Sequence, residues 1–141
     1  SKLIPSQDLQ FDSNNSIEFE FNKKNKIEKY KLNSNLKISK LEISHNDSNL
    51  KRFLPEYKDI IFLKDNLIEI NLNNKIKDVK LKGSYSLDNN LSDIFKINLI
   101  QNSEILDFDA NINLSNLFLN LKSLDYKKNK KINSNLILKG R

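Results

Sequence analysis

Apolar residues in this chain recur at every second position, in rows broken by short polar turns, and that period constrains the backbone more than any other feature. Between Leu106 and Leu114 the alternation is unbroken. Leu106, Phe108, Ala110, Ile112 and Leu114 fall on one side, and Asp107, Asp109, Asn111 and Asn113 on the other. Side chains two apart share a face only in an extended strand, so this is a β-strand with one apolar and one wet face. Leu117, Leu119 and Leu121 repeat the pattern directly afterwards.

The same unit recurs along most of the chain. "SIEFEF" alternates Ile17, Phe19 and Phe21 against Glu18 and Glu20, "NKKNK" follows as a polar turn, and "IEKYKL" resumes the pattern, which predicts a hairpin. Leu36 and Ile38 are followed by Leu41 and Ile43, a slip of one residue near Ser39 and Lys40 that marks a β-bulge. Ile68, Ile70 and Leu72 make another row, ended by a turn at Asn73–Asn74. Val79, Leu81, Gly83, Tyr85 and Leu87 make the next, ended by a turn at Asp88-Asn89-Asn90. Phe95, Ile97 and Leu99 precede the Leu106 row, and Leu136 and Leu138 close the series. The opening "SKLIPSQDLQFDSNN" is weakly patterned and reads as loop or edge strand. One interruption is helical: Asp47 or Ser48 can cap a turn near 48–54, and Pro55 disfavours helical geometry at Leu54.

About nine or ten strands result, joined by links too short for crossover helices, so neighbours are antiparallel. The expected fold is all-β: an antiparallel meander forming a curled, groove-like sheet or a sandwich, with one short helical turn. No linker divides the chain, so residues 1–141 are expected to form a single β-rich domain. The chain opens on Ser1, not Met, and is expected to be a segment of a longer protein.

Hydrophobic residues make up 38% of the chain, which suits a sheet with one wet face better than a thick two-sided core. The net charge of +6 comes almost wholly from lysine. Those lysines are interleaved with Asp and Glu, and the arginines that favour phosphate and base contacts are Arg52 and Arg141. A solvated face explains this better than a nucleic-acid stripe, and no nucleic-acid partner is expected. No apolar run approaches the ~18 residues of a membrane-spanning helix.

Few residues offer chemistry. Cysteine is absent, which excludes disulfides and thiolate sites, and His45 is the sole histidine. The glycines, Gly83 and Gly140, cannot build a phosphate-cradling loop, and Gly83 within a strand marks a bulge or tight curvature instead. Asp107 and Asp109 share a face, but a regular strand does not supply the oxygen ligands calcium needs, so they read as wet-face residues. No enzyme, metal, cofactor or small-molecule substrate is expected. What remains is the apolar rows. They can face each other in a sandwich core, face lipid in a transmembrane barrel, or line an open curled sheet. The barrel fits least, because the aromatic girdles are missing. Period-2 patterning does not separate a closed core from an open groove.

One stretch adds to this reading. In "FDANINLSNLFLNLKSLDYKKNKK", Asn113-Leu114-Ser115 ends a strand, Leu117 to Leu121 form the next, and Leu124-Asp125-Tyr126-Lys127-Lys128 leads into a lysine-rich turn and "NSNLILKG". This order, together with "LKRFLPEYKDIIFLKDNLIEINL", resembles the AsmA-like proteins of the YhdP-like branch. The resemblance implies a non-enzymatic segment of a periplasmic protein, anchored elsewhere in its chain in the inner membrane of a Gram-negative bacterium. It implies phospholipid transport towards the outer membrane through an apolar β-groove, with acyl chains as partner. The lining would then be Leu106, Phe108, Ala110, Ile112 and Leu114, with Leu117, Leu119 and Leu121 beside them and Ile68, Ile70 and Leu72 further along. The alternative is a β-sandwich adhesion or protein-interaction module with an ordinary closed core.

Overall fold

The structure is a computed structural model that describes residues 4–5, 10–87 and 91–141. Among these residues the chain forms ten strands, one short helix and a 3₁₀ turn at Lys122–Leu124. The strands are β1 (Ile4–Pro5), β2 (Gln10–Phe21), β3 (Ile27–Ser44), β4 (Ile60–Asn73), β5 (Ile76–Ser86), β6 (Asp93–Asn102) and β7 (Ile105–Asn113). They are followed by β8 (Leu119–Leu121), β9 (Tyr126–Lys128) and β10 (Asn135–Gly140), and the helix α1 is Ser48–Phe53. The expected turn at Asp88-Asn89-Asn90 lies outside the described residues.

Eight strands make one antiparallel sheet in the order β2-β3-β4-β5-β6-β7-β10, with β1 beside β2 on the same edge of β3. Asparagine turns join them, for a local reason. The Asn22 carboxamide oxygen accepts from the backbone N–H of Lys24 and Lys26, and the Asn73 oxygen accepts from Lys75 and Ile76. Each side chain thereby satisfies donors that the reversing backbone leaves without ladder partners. Asn74 also reaches sideways, exchanging bonds of 2.9 Å with Tyr30 N–H and the Glu28 carbonyl on β3. β2 begins at Gln10, well before the alternation resumes at Ile17, because the hairpin register carries Asp12–Asn15 along β3.

The expected phase slip is present and has a partner. Against β2, β3 holds an extra residue at Ser39. Against β5, β4 holds an extra residue between Lys64 and Leu67. The β3–β4 pairing runs through this point without a shift, so both strands slip together and Leu41 and Ile43 return to the apolar side. Asp65 takes the left-handed conformation there (φ 52°). Gly83 lies across the bulge, as the glycine within a strand predicts. A Cβ on it would stand 2.0 Å from Oδ1 of Asn66, whose side chain occupies that space.

One end of the sheet carries a cap. The β3–β4 link holds α1, and the β7–β10 link holds the separate β8–β9 hairpin. Asp47 caps α1, accepting from the N–H of Asn49 and Leu50. Tyr57, Leu87 and Leu117 form the buried core of the cap, with Leu50, Leu54, Ile61, Tyr85, Leu114 and Leu119 packed around them. The Tyr57 hydroxyl donates to the His45 carbonyl, and Leu114 N–H to the Ser134 carbonyl, which closes the base of the second excursion.

Candidate functional site: the uncovered apolar face

Register aligns the apolar side chains of different strands into rows that cross the sheet. Leu36, Ile68, Leu81, Ile97, Ala110 and Leu138 stand in one line, each opposite the next, on β3, β4, β5, β6, β7 and β10. On the reverse face the parallel line is Asn35, Glu69, Lys80, Asn98, Asp109 and Lys139. Along this line one face of the sheet is greasy and the other wet, although Ile94, Ile100, Ile105 and Ile137 also stand on the wet side.

Among the described residues no second sheet packs on the greasy face. Ile17 is 58% exposed, Phe21 62% and Leu106 48%. The free edges of β2 and β10 are unpaired among the described residues, so the sheet is not a barrel. Of the arrangements that the sequence pattern leaves open, this is the open sheet. The cap meets the apolar face only at one strand end, where Ile61 and Tyr85 pack under Tyr57 and Leu117. It forms a margin along the face, while the far margin is the row of asparagine turns.

The candidate lining residues divide in two. Leu106, Phe108, Ala110 and Ile112 share the apolar face of β7, Ile68, Ile70 and Leu72 share that of β4, and the cross-strand rows connect them. Leu114, Leu117 and Leu119 do not continue the row. Leu117 is only 8% exposed and sits in the cap core with Tyr57 and Leu87, and Leu114 and Leu119 pack around it. Leu121 is opposite Tyr126 in the small sheet. Residues outside the candidate list share the face: Phe19 and Ile17 on β2, Leu32 on β3, Val79 on β5 and Leu136 on β10. Their alternation is visible in the sequence, but only register shows that the rows are coplanar.

Asp107 and Asp109 lie on the wet face, as expected, paired with Arg141 (2.9 Å) and Lys139 (3.3 Å). His45 lies in the β3–β4 link with Nε2 3.6 Å from an Asp47 carboxylate oxygen, and the N–H of Asn49 holds the Asp47 carboxyl below the usual carboxylate range. Among the described residues no three His, Asp or Glu side chains gather as a metal site requires.

Two polar features escape sequence reading. Asn66 lies on the apolar face, 5% exposed, and neither amide atom has a hydrogen-bond partner. In the cap, Lys128 is 2% exposed and its ammonium donates to the carbonyls of Ser115 (3.2 Å), Asn129 (3.1 Å) and Ile132 (3.5 Å). Burial pushes its pKa down, and the charge of Asp93 offsets part of that. Burial pushes the Asp93 carboxyl up, while its bond from Asn116 N–H (2.9 Å) opposes the shift. These groups tie the 114–134 excursion together and reach no cleft. A lone lysine in a lysine-rich turn gives no signal of this burial.

No family model, no curated protein and no solved structure matches the chain.

Proposed function

We propose that this chain is a non-enzymatic segment of a lipid-conducting protein, its apolar sheet face holding the acyl chains of phospholipid. The observation that carries the reading is the uncovered apolar face, continuous from β2 to β10 and backed by a predominantly polar one, on which Ile94, Ile100, Ile105 and Ile137 are the exposed apolar exceptions. Each methylene taken out of water is worth about 0.8 kcal/mol, so such a face retains an acyl chain without any specific polar contact and leaves it free to slide. Seven strands side by side, at about 4.8 Å spacing, give a path of roughly 29 Å across the sheet. That is close to the ~30 Å hydrocarbon thickness of a bilayer, enough for acyl chains laid end to end across the strands. The cap would bound the path on one side. The resemblance of the 108–131 stretch to AsmA-like proteins agrees with a place in the periplasm between inner and outer membranes, with the anchor elsewhere in the parent chain.

Native mass spectrometry after gentle extraction tests this on the wild type and on Ile70→Asp. Ile70 sits mid-face on β4 with Val79 opposite, so a carboxylate there interrupts the apolar path while remaining accessible to water. Phospholipid bound to the wild type and lost from the variant, with strand circular dichroism unchanged, is the expected result. A wild type that carries no lipid, or a variant that keeps it, overturns the proposal.

A further inference from the structure

The two free edges of the sheet differ in charge. β2 carries Asp12, Glu18 and Glu20 and no basic residue, whereas Lys139 and Arg141 lie on and just beyond β10. On the wet face these charges sit in matching acid–base pairs with the next strand inward. Glu20 bonds Lys29 at 2.6 Å and Glu18 is opposite Lys31; Asp109 pairs with Lys139 and Asp107 with Arg141. Read outward, β7 is acidic, β10 basic, β2 acidic and β3 basic. Placed edge to edge, two sheets would continue one alternating series.

We propose that the β10 edge of one copy of this chain pairs with the β2 edge of a second copy, extending the sheet head to tail. An odd number of strands separates the edges: seven lie side by side and all neighbours are antiparallel, so β2 and β10 run in the same direction. A copy displaced along the sheet therefore meets its neighbour as a parallel pair with the apolar faces on the same side. Laying residues 14–20 of one copy along residues 135–141 of the other brings Glu18 beside Lys139 and Glu20 beside Arg141. The same register sets Ile17 beside Leu138 on the apolar side. Pairing like edges brings strands of like charge together instead. Both edges expose backbone donors and acceptors along their free sides, the usual template for strand addition. Because the contact is heterologous it does not close on two copies, so association proceeds beyond the dimer. This pairing does not depend on what occupies the apolar face.

Sedimentation velocity at low salt over a concentration series tests it, on the wild type, Glu18→Lys/Glu20→Lys, Lys139→Glu/Arg141→Glu, and an equimolar mixture of the two variants. The wild type is expected to grow past the dimer. Each variant alone sets like charge against like and needs at least about tenfold more protein to associate. The mixture restores association, because the basic β10 of the first variant meets the acidic β2 of the second, and the reverse junction is complementary too. Circular dichroism checks the fold of each, and Glu18→Gln/Glu20→Gln weakens the contact without reversing charge should either variant not fold. A wild type that stays monomeric, variants that associate as it does, or a mixture that fails to recover overturns the proposal. So does association abolished by Ile70→Asp but indifferent to the edge variants, which is the signature of apolar faces stacking on each other.

Discussion

Gly83→Ala tests the bulge that lets the apolar face continue across β4 and β5. An added methyl would lie 2.0 Å from Asn66 Oδ1, 2.7 Å from its Cγ and 3.0 Å from its Cα. The amide can swing aside, but the backbone atom cannot without opening the bulge at Asp65. Overpacking of this kind costs about 1–3 kcal/mol. Replacing a strand glycine returns roughly 0.5–1 kcal/mol through the unfolded chain, so the net loss expected is about 1–2 kcal/mol. At about 3 °C per kcal/mol for a chain of this size, the melting temperature falls by about 3–6 °C. Asn66→Ala alone removes a buried amide that has no hydrogen-bond partner and should change stability by less than about 1 kcal/mol. The double variant relieves the contacts with Oδ1 and Cγ, so it should recover about 1 kcal/mol of the Gly83→Ala loss. Urea unfolding followed by circular dichroism supplies the cycle. A Gly83→Ala protein as stable as wild type, or strictly additive effects, would show that Asn66 does not occupy the glycine's open side.

Two further outcomes follow from burial. Leu117→Ala removes a cap side chain that is 8% exposed and should cost about 3 kcal/mol, whereas Phe21→Ala, at 62% exposed, should cost less than about 1 kcal/mol; equal urea midpoints would refute the division into buried cap and uncovered face. Burial raises the Asp93 carboxyl above its ordinary 3.8. The folded state thus holds this proton more tightly than the unfolded chain, and the stability it contributes is complete below that value and lost as pH rises through the folded pKa. Asp93→Asn, which keeps an oxygen for Asn116 N–H, should lack that dependence, so wild type loses stability relative to the variant as pH rises above the ordinary 3.8 and through the raised folded value. Parallel pH profiles of the urea midpoint would refute the assignment.

An uncovered apolar face also makes the isolated sheet adhesive. The wet face carries Lys80, Lys82 and Lys96 with the acidic Asp78 and Glu69, yet it cannot screen the opposite side. The charged free edges limit one route of uncontrolled pairing, since β2 repels β2 and β10 repels β10. The same charges leave the complementary head-to-tail pairing open.

Much of this architecture is local, and the sequence by itself determined it. Alternation from Ile17 to Phe21 and from Leu106 to Ile112 sets strands, because period 2 is a property of a single extended backbone. Asn22 and Asn73 set turns because their carboxamides reach amides two to four residues away. The slip at Ser39, the glycine at 83 and the cap at Asp47 announced the bulge and the helix for equally local reasons. Only the tertiary structure decided which rows share a face, since coplanarity depends on a slip in β4 matching the one in β3. It drew Leu117 into the cap, where Tyr57 and Leu87, distant in sequence, outcompete the row its alternation suggested. It buried Lys128 among three carbonyls that no spacing foretells. And it left the apolar face bare: alternation records that one side of a strand avoids water, while what covers that side depends on contacts between distant parts of the chain.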